Sequence, residues 1–197
     1  MKKLLCVSCI VLGGVAYVNA QSFSIGVRAG LNFANEKISS SFGSVSPNSR
    51  TGFLLGGYAK VMFTDKMGIQ PELFYSSVGA KISDPSAGTE TYKYNYLSLP
   101  VFFRYNVAEN FHLLVGPQFG VLVAAKYSDS FGSQDIKSQL NSSDVSGVIG
   151  AGMDFGPFNG GLRYGFGLSN IAKNTSGGET VKNTVFQIVV GYKLFGK

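Results

Sequence analysis

The stretch FSIGVRAGLNFA at residues 23–34 alternates between two kinds of side chain. One set is apolar and includes Phe23, Leu31 and Phe33, while the other contains two glycines, Arg28 and Asn32. Side chains of a β-strand point to opposite faces in turn, so a period of two predicts a strand with one apolar and one polar face.

Seven further segments show the same alternation. They are residues 51–63, 68–81, 92–106, 111–127, 144–155, 160–170 and 184–195. The connections between the segments alternate in length. The long ones are 35–50, 82–91, 128–143 and 171–183, and the short ones are 64–67, 107–110 and 156–159. Long connections at one end and tight turns at the other are typical of outer-membrane barrels, and each segment exceeds the ~9–11 residues that a tilted strand needs to cross. The sequence therefore predicts an all-β fold, a closed eight-stranded antiparallel up-and-down transmembrane β-barrel.

The polar face of these segments is rich in glycine and also carries charge. The charged residues on it are Arg28, Lys60, Glu72, Arg104, Asp154 and Arg163. Glycine leaves room inside a narrow barrel for long side chains, so we expect these six to form a structural charge network in the lumen, with the apolar face toward lipid. Parity adds Lys126 and Lys193 to the inward cations, an excess that would give a pore a weak anion preference. A secreted soluble barrel or sandwich is the alternative.

Residues 1–20 have the features of a cleavable signal peptide. Lys2 and Lys3 form a basic start, residues 4–18 are apolar, and Val18-Asn19-Ala20 supplies small residues for cleavage. Cys9 raises a lipoprotein alternative, although it precedes a complete apolar core. We predict a mature barrel domain over residues 21–197.

The mature composition excludes several kinds of chemistry. Both cysteines, Cys6 and Cys9, leave with the signal, so thiol catalysis and disulfides are not expected. Loss of two lysines leaves 15 basic and 11 acidic residues, a net charge of +4 that is too mild to indicate nucleic acid. No metal-ligand spacing or phosphate loop is present, so we expect no cofactor and no metal.

Two candidate sites remain open to more than one interpretation. His112, the only histidine, adjoins the 107–110 turn, and we expect it to be structural rather than catalytic. Lys81 and Lys93 flank the 82–91 connection on the outward face. They could bind lipopolysaccharide phosphates, or they could be interfacial lysines whose side chains extend the ammonium group to the aqueous phase.

Three prolines lie within predicted strands: Pro71, Pro100 and Pro117. Each removes a backbone donor, so we predict bulges at these positions and a possible slip of the face assignment by one residue beyond them.

Several blocks resemble, in order, the PorT-like outer-membrane β-barrel family. They are GVRAGLNFA (26–34), IQPELFY (69–75), YLSLPVFFRY (96–105), GPQFGVLVAAK (116–126), LRYGFGLSNI (162–171) and NTVFQIVVGYKLF (183–195). The resemblance implies an eight-stranded barrel but no settled function. One departure is the ending. Members of the family usually end on an aromatic residue of the last strand, whereas Gly196 and Lys197 follow Phe195 here.

These observations predict an integral protein of the bacterial outer membrane with periplasmic termini and four extracellular loops. We expect a monomeric, non-enzymatic protein with a structural or surface-interaction role. An accessory role in secreting or maturing surface proteins and a narrow anion-favouring channel are the alternatives. The expected partners are outer-membrane lipid and lipopolysaccharide, the barrel-assembly machinery during insertion, and unknown extracellular or secretion partners, with no nucleic acid.

Overall fold

The computed structural model describes residues 21–40, 43–45, 48–84, 88–173 and 180–196. The predicted signal peptide at 1–20 lies outside these ranges and stays a prediction. The described strands are β1 (Ser22–Ser40), β2 (Gly43–Val45), β3 (Asn48–Met62), β4 (Met67–Asp84), β5 (Gly88–Asn106), β6 (Phe111–Asp129), β7 (Gly132–Asp135), β8 (Ser143–Phe155), β9 (Phe158–Gly167) and β10 (Thr180–Gly196). One turn of 3₁₀ helix covers Lys137–Gln139.

Eight of these strands form a closed antiparallel ring in the order β1-β3-β4-β5-β6-β8-β9-β10. The ring closes because β10 pairs with β1, from Ser24 opposite Gly196 to Ser39 opposite Thr180. The short strands β2 and β7 pair only with β1 and β6. The predicted closed eight-stranded barrel is confirmed.

The two ends of the barrel differ in their connections. At the turn end, residues 63–66, 107–110 and 156–157 link neighbouring strands. At the loop end the strands run further than the sequence predicts, because β4 and β5 stay paired to Asp84 opposite Gly88. Thr89, Thr91 and Tyr92 favour extended backbone, so most of the predicted 82–91 loop is hairpin.

The outer surface carries a broad band of exposed apolar side chains, here called the apolar belt. It includes Val27, Leu31, Leu55, Leu73, Leu97, Val121, Ile149, Leu162, Ile188 and Val190. A monomer in water rarely exposes so large a patch, whereas a closed barrel in hydrocarbon needs one. Among the described residues, no helix is long and apolar enough to cross a membrane.

The prolines do not produce the predicted bulges, and that prediction was wrong. Pro71 pairs opposite Val101 and Pro100 opposite Gln118 without a change of register on either side. Pro117 likewise keeps its register opposite Gly147. Each proline lacks only one donor, so the ladder bonds on either side hold the alignment.

The bulges lie elsewhere, and one of them, between β5 and β6, changes which face a lysine occupies. Asn95 pairs with Ala124 and Tyr96 with Leu122, which leaves Val123 as the extra residue. Alternation reverses beyond this point: Ala125 is buried in the interior and Lys126 is exposed outside. The predicted inward position of Lys126 was therefore wrong, since a bulge shifts every later side chain by one face.

Candidate functional site

The lumen at the turn half is organised around the carboxylate of Glu72, which is 2% exposed. Arg163 donates two hydrogen bonds to it, at 2.7 and 2.8 Å. Arg28 donates to Oε1, and Gln70 Nε2 donates to the same oxygen at 2.7 Å. Bidentate arginine geometry and several donors stabilise a buried carboxylate, so this group is fully paired.

A second ion cluster lies around Asp154. Arg104 donates to Oδ2, and the Lys60 ammonium is 3.6 Å from the same oxygen. His112 is 3% exposed and its Nδ1 lies 3.9 Å from Oδ1 of Asp154. Arg104 also donates to Gln70 at 3.0 Å, which joins the two clusters.

Two aromatic rings support the arginines. Arg28 stacks 4.6 Å from the centroid of Tyr58, and Arg163 stacks 4.7 Å from that of Phe102. A Cβ at Gly26 would lie 2.5 Å from the Tyr58 ring, so glycine is what admits the ring here. Such contacts hold both guanidinium groups in place beside the Glu72 carboxylate.

The structure therefore brings the six residues singled out from the sequence into one connected network, here called the ionic layer. Its members are Arg28, Lys60, Glu72, Arg104, Asp154 and Arg163. Sequence reasoning missed its neutral links, Gln70 and Asn159. Gln70 has inward parity on its predicted strand, whereas Asn159 had been assigned to the 156–159 connection. Asn159 accepts from Arg28 at 2.6 Å and donates to Tyr58 at 2.8 Å.

Above the ionic layer lies a layer of mostly neutral polar side chains. Gln187 donates to Asn32 at 3.0 Å, and Asn32 donates to Ser76 at 2.9 Å. Asp144 accepts from Ser169 at 2.8 Å and from Asn183 at 3.1 Å. A cavity of about 20 Å³ lies among these groups, which is room for about one water molecule.

The loop end of the lumen is closed by apolar side chains, here called the apolar plug. It consists of Ala34, Val78, Tyr94, Tyr96, Leu122, Ala125, Leu140 and Ile171. Leu140 and Ile171 come from two of the long connections, 128–143 and 171–183. The signal was the presence of large apolar residues in otherwise polar connections, with Ile136 and Val181 also packing against the plug.

Hydrogen bonds tie the two plug-forming connections together. Asn141 donates through its side chain to Asn170 O at 2.8 Å, and through its backbone to Ile171 O at 2.8 Å. The Lys173 amide donates to Gln139 O at 3.1 Å. The two segments therefore fold over the barrel mouth as one unit.

An isolated carboxylate, Glu36, lies beside the plug, beyond the apolar belt. It is 6% exposed and its Oε1 lacks a hydrogen-bond partner in the described part of the chain. Burial is the main influence on its pKa, which is raised, and a hydrogen bond with Tyr94 opposes that shift only in part. Glu36 is thus an acidic group that the apolar surroundings favour in its neutral form.

The interior charge balance differs from the predicted one. Among the described residues, the inward cations are Arg28, Arg50, Lys60, Arg104, Arg163 and Lys193. The inward acids are Glu36, Glu72, Asp144 and Asp154. Glu36 and Arg50 had been assigned to loops, but the strands extend far enough to turn them inward. Asp144 begins the predicted 144–155 strand and had not been counted among the inward charges. The predicted excess of four cations falls to two.

The outward lysines at the loop end lie near one another. Lys81 is exposed on β4, and Lys93 on β5 is half-buried with its neighbour Tyr94 pointing into the plug. Lys126 pairs directly opposite Lys93.

A closed antiparallel barrel with an apolar belt and a charged lumen defines the class of integral outer-membrane barrels. Residues 19–173 match the family model described as an outer membrane protein beta-barrel domain, so the chain belongs to that family. It is an integral protein of the bacterial outer membrane.

Several solved structures are similar to this chain. Neisserial surface protein A is 15% identical, with a TM-score of 0.55, over 88% of this chain and 99% of that chain. The attachment invasion locus protein Ail of Yersinia pestis is 19% identical (TM-score 0.49; 87% and 98% covered), and OprG of Pseudomonas aeruginosa is 14% identical (TM-score 0.45; 89% and 96% covered). No curated protein sequence matches the chain. At these identities the likeness concerns the fold alone.

Proposed function

We propose that this protein is a non-enzymatic surface protein of the outer membrane, a closed barrel that presents its loop end for interaction outside the cell. The observation that carries this proposal is the filled lumen. The ionic layer, the polar layer and the apolar plug follow one another along the axis, so little space remains for a solute. The part of such a barrel that can interact with other molecules is then its loop end.

The proposed orientation places the loop end outside and both termini in the periplasm. The first and last strands meet at the turn end, where Ser24 lies opposite Gly196. Outer-membrane barrels have short periplasmic turns and longer extracellular connections, which supports this direction. Insertion would then use the barrel-assembly machinery.

The β6–β7 hairpin offers a defined contact surface at the loop end. Asp129 Oδ1 accepts from the amides of Phe131 and Gly132 at 2.8 and 2.9 Å, so the tip has a fixed shape. Phe131 at this tip is 97% exposed. A large aromatic side chain on a preorganised tip is well suited to bury itself in a partner's pocket.

The position of His112 supports a non-enzymatic role. Its ring lies inside the barrel near the turn end, so a substrate at the cell surface could not reach it. Among the described residues, no three His, Asp or Glu side chains come together as a metal group. Ring closure pairs the edges of both terminal strands, which supports a monomer.

Two other functions have support from the sequence or the structure. The PorT-like accessory role in secretion or maturation of surface proteins is supported by the ordered sequence blocks. The anion-favouring channel is supported by the remaining excess of two inward cations, but the filled lumen argues against it.

Impermeant thiol labelling of intact cells tests the proposed orientation. The predicted mature chain has no cysteine, so Ser130→Cys at the β6–β7 tip and Asp65→Cys in the 63–66 turn are matched reporters. We expect Ser130→Cys to react on intact cells and Asp65→Cys only after lysis. The reverse result would overturn the orientation.

Gene deletion and planar-bilayer recording separate the roles. With a surface-interaction role, deletion leaves the surface proteome otherwise intact and Phe131→Ala lowers attachment to the partner as deletion does. Cargo trapped in the periplasm would instead support the accessory role. Steady chloride conductance of the purified barrel would support the channel.

A further inference from the structure

Two pairs of lysines face each other across neighbouring strands at the loop end. Lys37 on β1 lies directly opposite Lys182 on β10, and Lys93 on β5 lies directly opposite Lys126 on β6. The flanking residues Glu36, Asn183, Tyr94 and Ala125 are buried inside, so all four lysines point outward. In the ring order the β1–β10 and β5–β6 pairs lie on opposite sides of the barrel.

Neither pair forms a salt bridge with the residues that the structure describes. In the described part of the chain, no carboxylate lies within 4.0 Å of these four ammonium groups. Asp135 on β7 lies opposite Lys126, and its Oδ1 accepts the Lys137 amide at 2.8 Å, so it is the one carboxylate beside this pair in the strand register of the described residues. Like charges directly opposite on one sheet face destabilise the strand pairing. Each pair is therefore a position where a bridging anion would stabilise the barrel.

Both pairs lie at the same distance from the apolar belt. Lys37 follows Phe33 by four residues and Lys182 precedes Phe186, the ring that packs against Phe33, by four. Lys93 likewise precedes Leu97 of the belt by four. Four residues of strand span about 13 Å, or roughly 9 Å along the membrane normal for a strand tilted by about 45°. This level is that of the lipid headgroups.

The second pair depends on the bulge at Val123. Without the extra residue Lys126 would point into the lumen and Lys93 would stand alone. The carbonyl that the bulge releases accepts a hydrogen bond from Lys137 Nζ at 2.8 Å, which adds another ammonium group to this side. Lys81 lies on the neighbouring strand, opposite Thr91.

We propose that the two lysine pairs bind phosphate groups of lipid A in the outer leaflet, one on each side of the barrel. Each phosphate accepts from both ammonium groups of a pair, and its acyl chains lie along the apolar belt beneath it. Lys81 supports the β5–β6 site. The inference rests on the proposed orientation, because lipid A occupies only the outer leaflet.

Thermal unfolding of the full mature barrel in vesicles tests this proposal. The phosphatidylcholine vesicles would contain no additive, bis-phosphorylated lipid A, dephosphorylated lipid A or phosphatidylglycerol. The variants are Lys126→Gln, Lys182→Gln and both together. Lys66→Gln in the exposed 63–66 turn is the control with the same change of charge.

We expect bis-phosphorylated lipid A to raise the wild-type Tm by about 2–4 °C over dephosphorylated lipid A. The gain shrinks in each single variant, vanishes in the double variant and persists in Lys66→Gln. In plain phosphatidylcholine the single variants equal or exceed wild type, because a repulsion has been removed.

Equal protection by the two forms of lipid A would overturn the proposal. The four lysines would then be interfacial residues that extend to water without binding phosphate. Equal protection by phosphatidylglycerol would overturn the assignment to lipid A. A gain that survives in the double variant would place the phosphates elsewhere. Vesicles contain lipid on both leaflets, so these outcomes are independent of the orientation, which the thiol labelling decides separately.

Discussion

The two halves of the lumen are closed by different means. In the turn half, Glu72 and Asp154 are held by cations from four strands, and the hydrogen-bonded ladder fixes all of them. In the loop half, Leu140 and Ile171 reach the axis from connecting segments that a few hydrogen bonds hold in place. Local opening requires breaking only local contacts, so the plug can open while the ionic layer stays intact.

The largest expected effect is that of Glu72→Gln. The substitution keeps the shape of the side chain but leaves Arg28 and Arg163 buried without their carboxylate. Breaking a buried ion pair in this way costs about 3–5 kcal/mol. Urea unfolding in vesicles, followed by the mobility shift of unheated samples, measures the loss of free energy of unfolding.

Asp154→Asn is the matched control, since its side chain is 26% exposed and that of its partner Lys60 is 21% exposed, so water reaches the carboxylate and one of its cations. We expect a clearly smaller loss. Equal losses for the two variants would mean that burial does not separate the two ion clusters.

Ile171→Ala is expected to weaken the plug alone. The side chain is 0% exposed, and truncation of such a group costs about 2 kcal/mol or slightly more. Faster hydrogen exchange at the Asn141 and Lys173 amides would report the opening, with turn-half amides unchanged. Phe131→Ala is the exposed control and should alter neither set. Faster exchange throughout the barrel would show that the halves do not open separately.

The smallest expected effect is a dependence of plug stability on pH. Burial raises the pKa of Glu36, so the folded plug favours the protonated carboxyl. Stability is fully present below the ordinary carboxyl pKa and is lost as the pH rises through the raised value. The phenols of Tyr92, Tyr94 and Tyr96 interact electrostatically with this carboxylate. None of them supplies a positive charge that would favour its ionised form.

Hydrogen exchange at the Asn141 amide across this pH range measures the effect after correction for intrinsic exchange. Glu36→Gln should remove the dependence, whereas Asp135→Asn on the exposed hairpin should keep it. Protection that rises with pH would contradict the assignment.

The alternation of apolar and polar residues predicted the barrel because it is a local property of each strand. The same parity placed Arg28, Glu72 and Arg163 on one face, and the structure shows them in contact. Closure of the sheet then determines which inward groups meet, so Gln70 could be placed inside but not paired, and Asn159 joined the interior only because β9 begins earlier than predicted.

Other features depend on contacts that no single segment encodes. The bulge at Val123 reverses the faces of β6 without any proline or glycine at that position. Leu140 and Ile171 become core residues only because their connections cross the barrel mouth. The strands also continue past the belt, which moves Glu36 and Arg50 from predicted loops to the interior.

The pairing of β1 with β10 limits how such a chain can evolve. Adding or losing one strand would bring the first and last strands together in parallel and send the C-terminus to the opposite side of the membrane. Removing β10 would leave two open edges in hydrocarbon, where unpaired amides have no water. Viable changes of size in this lineage therefore come as whole hairpins, two strands at a time.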